Sequence, residues 1–293
     1  MVLSKYVCQM AYEGDIVAVK AWLAADPSRD VTDLSYWEGE THSTSNHSSL
    51  LTFAAAGRPS EAKCVLIRWL LEQGVDPCHY VEPAVTPLYL AAAGAGWERA
   101  VEVVSMFCEA APLERQVASK MTPLRAAFIH GFGRNSKGND FSPSDMLEMV
   151  KVLLRHGAPL DDYPGYTPPY TSQGQPCIRF SADDCLSAVE RLPGFLGSHL
   201  AQNEAFVETK ALIAGVRACG SSWTSYCRLP HKELLRLRSL ILRGRARPRR
   251  EPKLERDILE KRAAAAYRSI VFLCKLGDNG IVWKILEFWQ ATR

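Results

Sequence analysis

The stretch TPLYLAA at residues 86–92 recurs as TPLRAAF at residues 122–128, and in a looser form as SLLTFAA at residues 49–55. The three copies start 37 and 36 residues apart along the chain. Similar segments at a regular spacing of this size are typical of proteins built from stacked repeats, in which each unit contacts its neighbours. The sequence therefore predicts a repeat fold in place of a single globular core.

Each copy has the features of a helix start. The hydroxyl of Thr86 or Thr122 can cap free backbone N–H groups, and proline at the first helical position has no N–H to leave unpaired. The alanine pair that follows is small enough to let a neighbouring helix approach closely. A second amphipathic stretch comes next, and in two copies it ends at Gly74 or Gly157, where a left-handed glycine terminates a helix. We therefore predict two helices in each unit.

This pattern resembles the ankyrin repeat, whose signature is Thr-Pro-Leu-His-x-Ala-Ala, then Gly, a Val-Val-x-Leu-Leu helix and Gly-Ala-Asp. The copy at residues 86–92 matches it best, with Tyr89 at the family's His position. A degenerate first copy, which lacks the opening of the motif, is visible as AYEGDIVAVKAWL at residues 11–23. The resemblance implies an all-α fold, an ankyrin-repeat solenoid of four stacked helix pairs over residues 1–162 with long finger loops. Tyr89 and Arg125 at the His position are interpreted first as structural residues.

Three segments depart from the family pattern. Residues 27–48 make the first finger longer than usual, and residues 131–143 insert a polar, glycine-rich loop between the helices of the fourth copy. A fifth opening at residues 165–168 is followed by Pro169 and lacks the alanine pair, so its first helix is expected to fail. We expect the repeat array to end there.

Residues 163–293 are predicted to form a Pro- and Gly-rich connector and a helical C-terminal cap region, with a basic linker at residues 243–253. The predicted helices run from Asp183 or Asp184 to just before Pro193, and over residues 201–218, 230–242, 254–276 and 281–289. We favour a cap on the end of the array, since the apolar end of a solenoid must be covered. The alternative is that residues 281–289 dock as a helix on another protein.

Charge is unevenly distributed, although the net charge is only +3 from 35 basic and 32 acidic residues. Residues 1–227 hold 18 basic and 25 acidic residues, a net of −7, whereas residues 228–293 hold 17 basic and 7 acidic residues, a net of +10. This asymmetry indicates two parts with different surfaces or partners.

The nine cysteines are scattered without a Cys-x-x-Cys pair, which argues against a disulfide framework and for a reducing compartment. The first residues lack the basic start and apolar core of a secretory signal, and no apolar run approaches the roughly 18 residues of a membrane span. We therefore expect a cytoplasmic or nuclear protein without a membrane partner.

No motif for catalysis stands out. The sequence has no recognisable nucleophile with a base partner and no glycine-rich loop that follows a strand. The strongest metal candidates have spacings of eight residues, unlike the closely spaced ligands of zinc sites; they are Cys177, Cys185, Cys219, Cys227 and His231. We therefore expect no catalytic residues, no metal and no cofactor.

The resemblance implies a non-catalytic module that binds another protein on its fingers and concave face. The candidate binding residues are aromatic and acidic side chains on fingers: Tyr36, Trp37, Glu38, His79, Tyr80, Glu82, Asp161, Asp162, Tyr163 and Tyr166. Such a surface favours a basic partner through cation–π contacts and charge pairing. The oligomeric state stays open.

A second interpretation is a substrate-recruiting adaptor of a ubiquitin ligase that uses residues 269–293. SIVFLC at residues 269–274 resembles the first half of an elongin-binding box, and GIVWKILEFW at residues 280–289 resembles an F-box helix. Both segments lack the Leu-Pro that normally precedes the last helix.

A basic run near residue 250 has three interpretations. Its members are Arg243, Arg245, Arg247, Arg249, Arg250 and Lys253. It can be a solvated linker, a nuclear-import signal or a phosphate-binding segment. We favour the linker over nucleic-acid binding, because no aromatic side chain is interleaved to stack on bases.

Overall fold

The computed structural model describes residues 3–32, 35–37, 46–78, 86–113, 122–132, 142–161, 181–190 and 202–243. In chain order the elements are α1 (Lys5–Glu13), α2 (Ile16–Ala24), β1 (Ser35–Trp37), β2 (Asn46–Ser48), α3 (Leu50–Ala55), α4 (Glu61–Glu72), α5 (Pro87–Ala93), α6 (Ala100–Ala110), α7 (Pro123–Ala126), a π-helix (Ala127–Phe132), α8 (Pro143–Arg155), α9 (Ala182–Glu190), α10 (Glu204–Ala218) and α11 (Trp223–Leu242). The predicted helical character is confirmed for the described residues, which also include one short pair of strands.

Contacts between the helices follow a regular order. In one row α1 contacts α3, α3 contacts α5 and α5 contacts α7, and in the other α2 contacts α4, α4 contacts α6 and α6 contacts α8. Each helix of the first row also contacts the second-row helix that follows it along the chain, although the π-helix lies between α7 and α8 in sequence. The described helices up to α8 therefore form four pairs, and each of the last three is packed on the pair before it.

The helix starts confirm the caps expected from the sequence. The hydroxyl of Thr86 accepts a hydrogen bond from the backbone N–H of Tyr89 at 3.1 Å, and proline occupies the first turn of α5. Thr122 does the same for Arg125 at 3.0 Å, again with proline in the first turn. Because these caps satisfy donors that a helix leaves unpaired, they set where α5 and α7 begin.

Small residues and left-handed glycines occupy the expected positions. The alanine pairs at residues 54–55, 91–92 and 126–127 are all buried. Their small side chains are consistent with the contacts from α3 to α5 and from α5 to α7. Gly74 and Gly157 have φ values of 84° and 91°, so both second helices end with the left-handed residue predicted there.

The first two described helices after residue 162 continue the packing. α9 contacts the π-helix, whereas α10 contacts both α8 and α9. They correspond to the helices predicted from Asp183 or Asp184 and over residues 201–218. α9 and α10 thus make a fifth helix pair, although its sequence lacks the Thr-Pro start of α5 and α7.

Contacts divide the chain into two units, residues 1–221 and residues 222–293. The described part of the second unit is largely α11, which begins at Trp223, earlier than the predicted start at residue 230. The hydroxyl of Ser222 accepts from the N–H of Ser225 at 3.2 Å and so caps this earlier start, and Pro230 lies within the helix.

The helices predicted over 254–276 and 281–289 lie outside the described residues, and the predicted division at residue 162 stays a prediction. None of the helices in the described ranges is long and apolar enough to cross a membrane.

Candidate partner-binding surface

The first finger contains a two-stranded antiparallel ribbon that leads directly into α3. Strand β1 pairs with β2 in the register Ser35 with Ser48, Tyr36 with His47, and Trp37 with Asn46. The next residue, Ser49, caps α3 by accepting from the N–H of Thr52 at 3.2 Å. Tyr36 and Trp37 therefore lie on a strand whose backbone is held by pairing, at the start of a first-row helix.

A second finger has its two ends joined in a similar way. Asp161 and Ser181 form an antiparallel bridge, and the N–H of Ala182 donates to the carbonyl of Leu160 at 3.0 Å. Ala182 is also the first residue of α9. The segment 162–180 thus begins and ends at one point of the fold, directly before a helix.

Arg217 of α10 holds both ends of this second finger. Its guanidinium donates two hydrogen bonds to the carboxylate of Asp161, at 2.9 and 2.8 Å, and its Nε forms an ion pair with the carboxylate of Asp183. Hydrogen bonding by Arg217 holds the pKa of Asp161 below its usual value, although partial burial acts in the opposite direction. The same contacts raise the pKa of Arg217. Asp161, predicted as a partner-binding residue, is therefore paired within the chain.

Further ion pairs join α10 to its neighbours. Lys210 lies 2.6 Å from Glu190 of α9, and Lys151 of α8 lies 3.3 Å from Glu208 of α10. These side chains are partly exposed, so each pair contributes less than about 1 kcal/mol to stability. Together with the contacts of Arg217, they fix the position of α10 at the base of the second finger.

The first-row helices α3 and α5 carry no charged residue. Phe53, Tyr89 and Leu90 on these helices are half-buried, and Ile129 in the π-helix is exposed. Arg125 supplies the one charged side chain of α7. The middle of the first row therefore presents apolar and aromatic surface, without fixed charge on α3 or α5.

A buried lysine connects the first two helix pairs, and the sequence did not predict it. Lys63 of α4 is 5% exposed; its ammonium donates to the carbonyl of Ala56 and lies 4.4 Å from the centre of the Tyr12 ring. Burial lowers its pKa from 10.5 to about 8. A lysine in an amphipathic helix ordinarily points to solvent, and nothing in the local sequence marks this one as buried.

Most of the other candidate residues lie outside the described part of the chain. For Tyr36 and Trp37 the structure describes the backbone pairing, and Arg243 lies exposed just after α11. The candidates outside the described residues are Glu38, His79, Tyr80, Glu82, Asp162, Tyr163, Tyr166, Arg245, Arg247, Arg249, Arg250 and Lys253. Residues 269–293, on which the ligase-adaptor interpretation depends, also lie outside them. All of these assignments stay predictions.

Two further observations concern possible metal ligands and sequence similarity to known proteins. Among the described residues, no group of three or more His, Cys, Asp or Glu side chains is arranged to hold a metal ion. The chain matches no protein-family model, and no curated protein is significantly similar to it in sequence. A functional assignment therefore depends on the geometry of the chain itself.

Proposed function

We propose that this chain is an ankyrin-type repeat protein that binds another protein through its fingers and first-row helices, without catalysis. The observation that carries the proposal is the way two of the finger bases are built. Each is closed by backbone pairing immediately before a helix, at Ser48 before α3 and at Ser181 before α9. Loops held in this way lose less conformational entropy on binding than free loops, which is the physical advantage of a preorganised binding surface.

The order of helix contacts supports the ankyrin assignment. Paired helices in two rows, threonine-capped starts and left-handed glycines after second helices are the features that the family pattern implies. The uncharged α3 and α5 supply apolar surface between the fingers, where anchoring side chains of a partner contribute most of the binding energy. Acidic and aromatic finger residues favour a basic partner.

The experiment compares affinity capture by three forms of the full chain. The first is the unmodified protein, the second carries Trp37→Ala with Tyr80→Ala, and the third carries Val65→Ala as a change of an exposed large residue on the second-row helix α4, outside the proposed surface. Bound proteins are cross-linked and quantified by mass spectrometry. We expect the finger variant to lose at least one protein that the unmodified and Val65→Ala forms retain.

Thermal unfolding of the same three forms makes the result interpretable. The finger variant is expected to melt with the unmodified protein, because neither substitution changes a cap residue or a buried residue of the described helices. Equal capture by all three forms, with unchanged melting, would overturn the assignment of this surface. A protein that the finger variant loses is then purified, and its affinity for each form is measured directly.

A further inference from the structure

Helix α11 carries a row of four basic residues along one face. Arg228, Lys232 and Arg236 are spaced by four residues, and Arg243 follows seven residues later, directly after the helix. The backbone N–H of Arg243 donates to the carbonyl of Ser239 at 3.1 Å, so the helical geometry continues to this residue. At 100° per residue the four positions lie within an arc of about 80°. We call this row the α11 basic face.

The four side chains of the α11 basic face are all exposed. Among the described residues no carboxylate forms an ion pair with them, whereas Lys151, Lys210 and Arg217 of the first unit are each paired within the chain. Glu233 is the single acidic residue in the sequence of α11, and its position lies about 140° around the helix from Arg228. The α11 basic face therefore presents four positive charges with no acidic residue in its arc.

The spacing of these charges suits a partner that is negative along its whole length. At a rise of 1.5 Å per residue, the row from Arg228 to Arg243 is about 22 Å long, with its first three charges about 6 Å apart. A nucleic-acid duplex carries about one negative charge per 1.7 Å of its axis. Several phosphates of one duplex therefore lie within reach of the four basic side chains at once.

The sequence around the α11 basic face has the same sign of charge. Residues 228–253 contain ten Lys or Arg and two Glu, a net charge of +8. A protein surface carries charges of both signs, whereas a phosphate backbone is negative throughout. A long segment with this excess of positive charge therefore favours a phosphate backbone over an acidic protein surface.

The aromatic side chains of α11 lie away from its basic face. The rings of Trp223 and Tyr226 are 5.9 Å apart, and both residues are half-buried. Their positions lie about 220° and 160° around the helix from Arg228. Proteins that bind single strands stack the bases on aromatic side chains within a basic groove. The α11 basic face has no such stacking residue, and contacts with phosphates alone suit a duplex.

The described side chains of α11 offer little apolar surface to a lipid bilayer. A helix that lies in a membrane surface inserts Trp, Phe and Leu side chains beside its basic face. Leu229, at 44%, is the one exposed large apolar side chain among those described on α11. Trp223, Tyr226 and Leu235 are half-buried. These observations favour a nucleic acid over an anionic membrane as the source of the phosphates.

We propose that the α11 basic face binds the phosphate backbone of a nucleic-acid duplex, without reading the base sequence. Arginine and lysine donate charge-assisted hydrogen bonds to phosphate oxygens, and such contacts carry no sequence information. The expected dissociation constant is that of non-specific binding, about 10⁻⁴ to 10⁻⁶ M at physiological salt, and it rises steeply with salt because counterions are released. This activity is additional to partner capture by the fingers.

Fluorescence anisotropy of a labelled DNA duplex, titrated with the full chain at salt concentrations from about 50 to 200 mM, tests the proposal. The test variant carries Arg228→Gln, Lys232→Gln and Arg236→Gln. Each phosphate contact contributes about 0.9 to the slope of log affinity against log salt, so the slope is expected to become shallower by up to about 2.7. Binding at about 100 mM salt is expected to weaken at least tenfold.

The matched control removes three exposed positive charges from other helices, Lys5→Gln, Lys20→Gln and Arg155→Gln. It changes the net charge equally and is expected to keep most of the affinity and slope. A charge-conserving variant, Arg228→Lys with Arg236→Lys, is expected to bind as the unmodified chain does, because an ammonium also pairs with phosphate as a point charge. Circular dichroism of each variant verifies that the helices are retained.

Three results would overturn the proposal. The first is no binding of the duplex at about 50 mM salt by up to about 100 μM protein, the weak limit of non-specific affinity. The second is an equal loss in the test and control variants, which would show that net charge alone acts. The third is tighter binding to a single strand of the same length, to polyglutamate or to vesicles with phosphatidylserine than to the duplex.

The result is independent of the proposed function. The test variant leaves the fingers and first-row helices unchanged, so it is expected to retain the captured partner. The variant with Trp37→Ala and Tyr80→Ala is likewise expected to bind the duplex as the unmodified chain does. Failure of duplex binding and failure of partner capture are therefore distinguishable.

Discussion

Arg217 and Asp161, 56 residues apart in the sequence, form a bidentate salt bridge with N···O distances of 2.9 and 2.8 Å. The same guanidinium is ion-paired with Asp183, which follows the segment 162–180 in the sequence. One arginine on α10 therefore holds both ends of the second finger. This contact makes α10 part of the support of the proposed binding surface, although α10 carries no candidate binding residue itself.

Replacing Arg217 with methionine is expected to destabilise the first unit by about 1 kcal/mol, since both partners are partly exposed and water screens the charges. The measurement is the urea midpoint of unfolding. Arg217→Lys is the matched control, because it keeps the charge but loses the planar fork that bonds to both carboxylate oxygens.

Amide exchange locates the effect of Arg217→Met. The N–H of Ala182, which donates to Leu160 at the finger base, is expected to exchange faster in the variant. Unchanged exchange at Ala182 would show that Arg217 does not hold the finger.

The lowered pKa of Asp161 predicts a loss of stability in acid. A carboxyl group whose pKa is lower in the folded than in the unfolded chain contributes stability above its unfolded value, which is near 3.8. That contribution is lost as the pH falls through the lower, folded value. Asp161→Asn is therefore expected to flatten the fall in unfolding free energy below about pH 4. Equal slopes for the variant and the unmodified chain would contradict the prediction.

Replacing Lys63 with methionine is expected to stabilise the protein by about 1 kcal/mol at pH 7. Burial of the ammonium costs roughly 3 kcal/mol for the lowering of its pKa from 10.5 to about 8, and the contacts with Ala56 and Tyr12 recover only part of that. The measurement is chemical denaturation, with Lys20→Met, an exposed lysine, as control.

The advantage of Lys63→Met is also expected to depend on pH. Below pH 8 the lysine is protonated in both the folded and the unfolded chain, so it contributes no slope. Between about pH 8 and 10.5 the unfolded chain binds more protons, and the stability contributed by Lys63 rises with pH. The difference between the two proteins should therefore shrink over this interval, and a constant difference would contradict the assigned pKa.

Removal of a threonine cap is expected to cost about 1 kcal/mol at either repeat start. Thr86→Val and Thr122→Val keep the size of the side chain but remove the oxygen that accepts from Tyr89 or Arg125. Serine at each position is the control, because it keeps the cap. Thermal melting measures the effect, and the two losses should add, since the caps belong to different helices.

The helix starts at Thr86 and Thr122 and the helix ends at Gly74 and Gly157 were predictable from the sequence. Their geometry depends on hydrogen bonds and backbone angles among residues a few positions apart, so the local sequence contains the necessary information. The start of α11 was predicted too late, because Pro230 was taken as a helix start while Ser222 caps the helix earlier. The fifth helix pair was predicted as two helices, but its place beside α8 and the π-helix depends on packing.

By itself, the sequence determined that the chain is helical, repetitive and capped at known residues, because those properties are local and recur with the repeat. Only the tertiary structure decided that Asp161 is paired with Arg217, that Lys63 is buried beneath Tyr12, and that Val17 remains open to solvent. Each of these depends on which helix packs against which, and hence on contacts between distant residues. Burial and pairing are properties of that packing, and they place α10 at the base of the second finger.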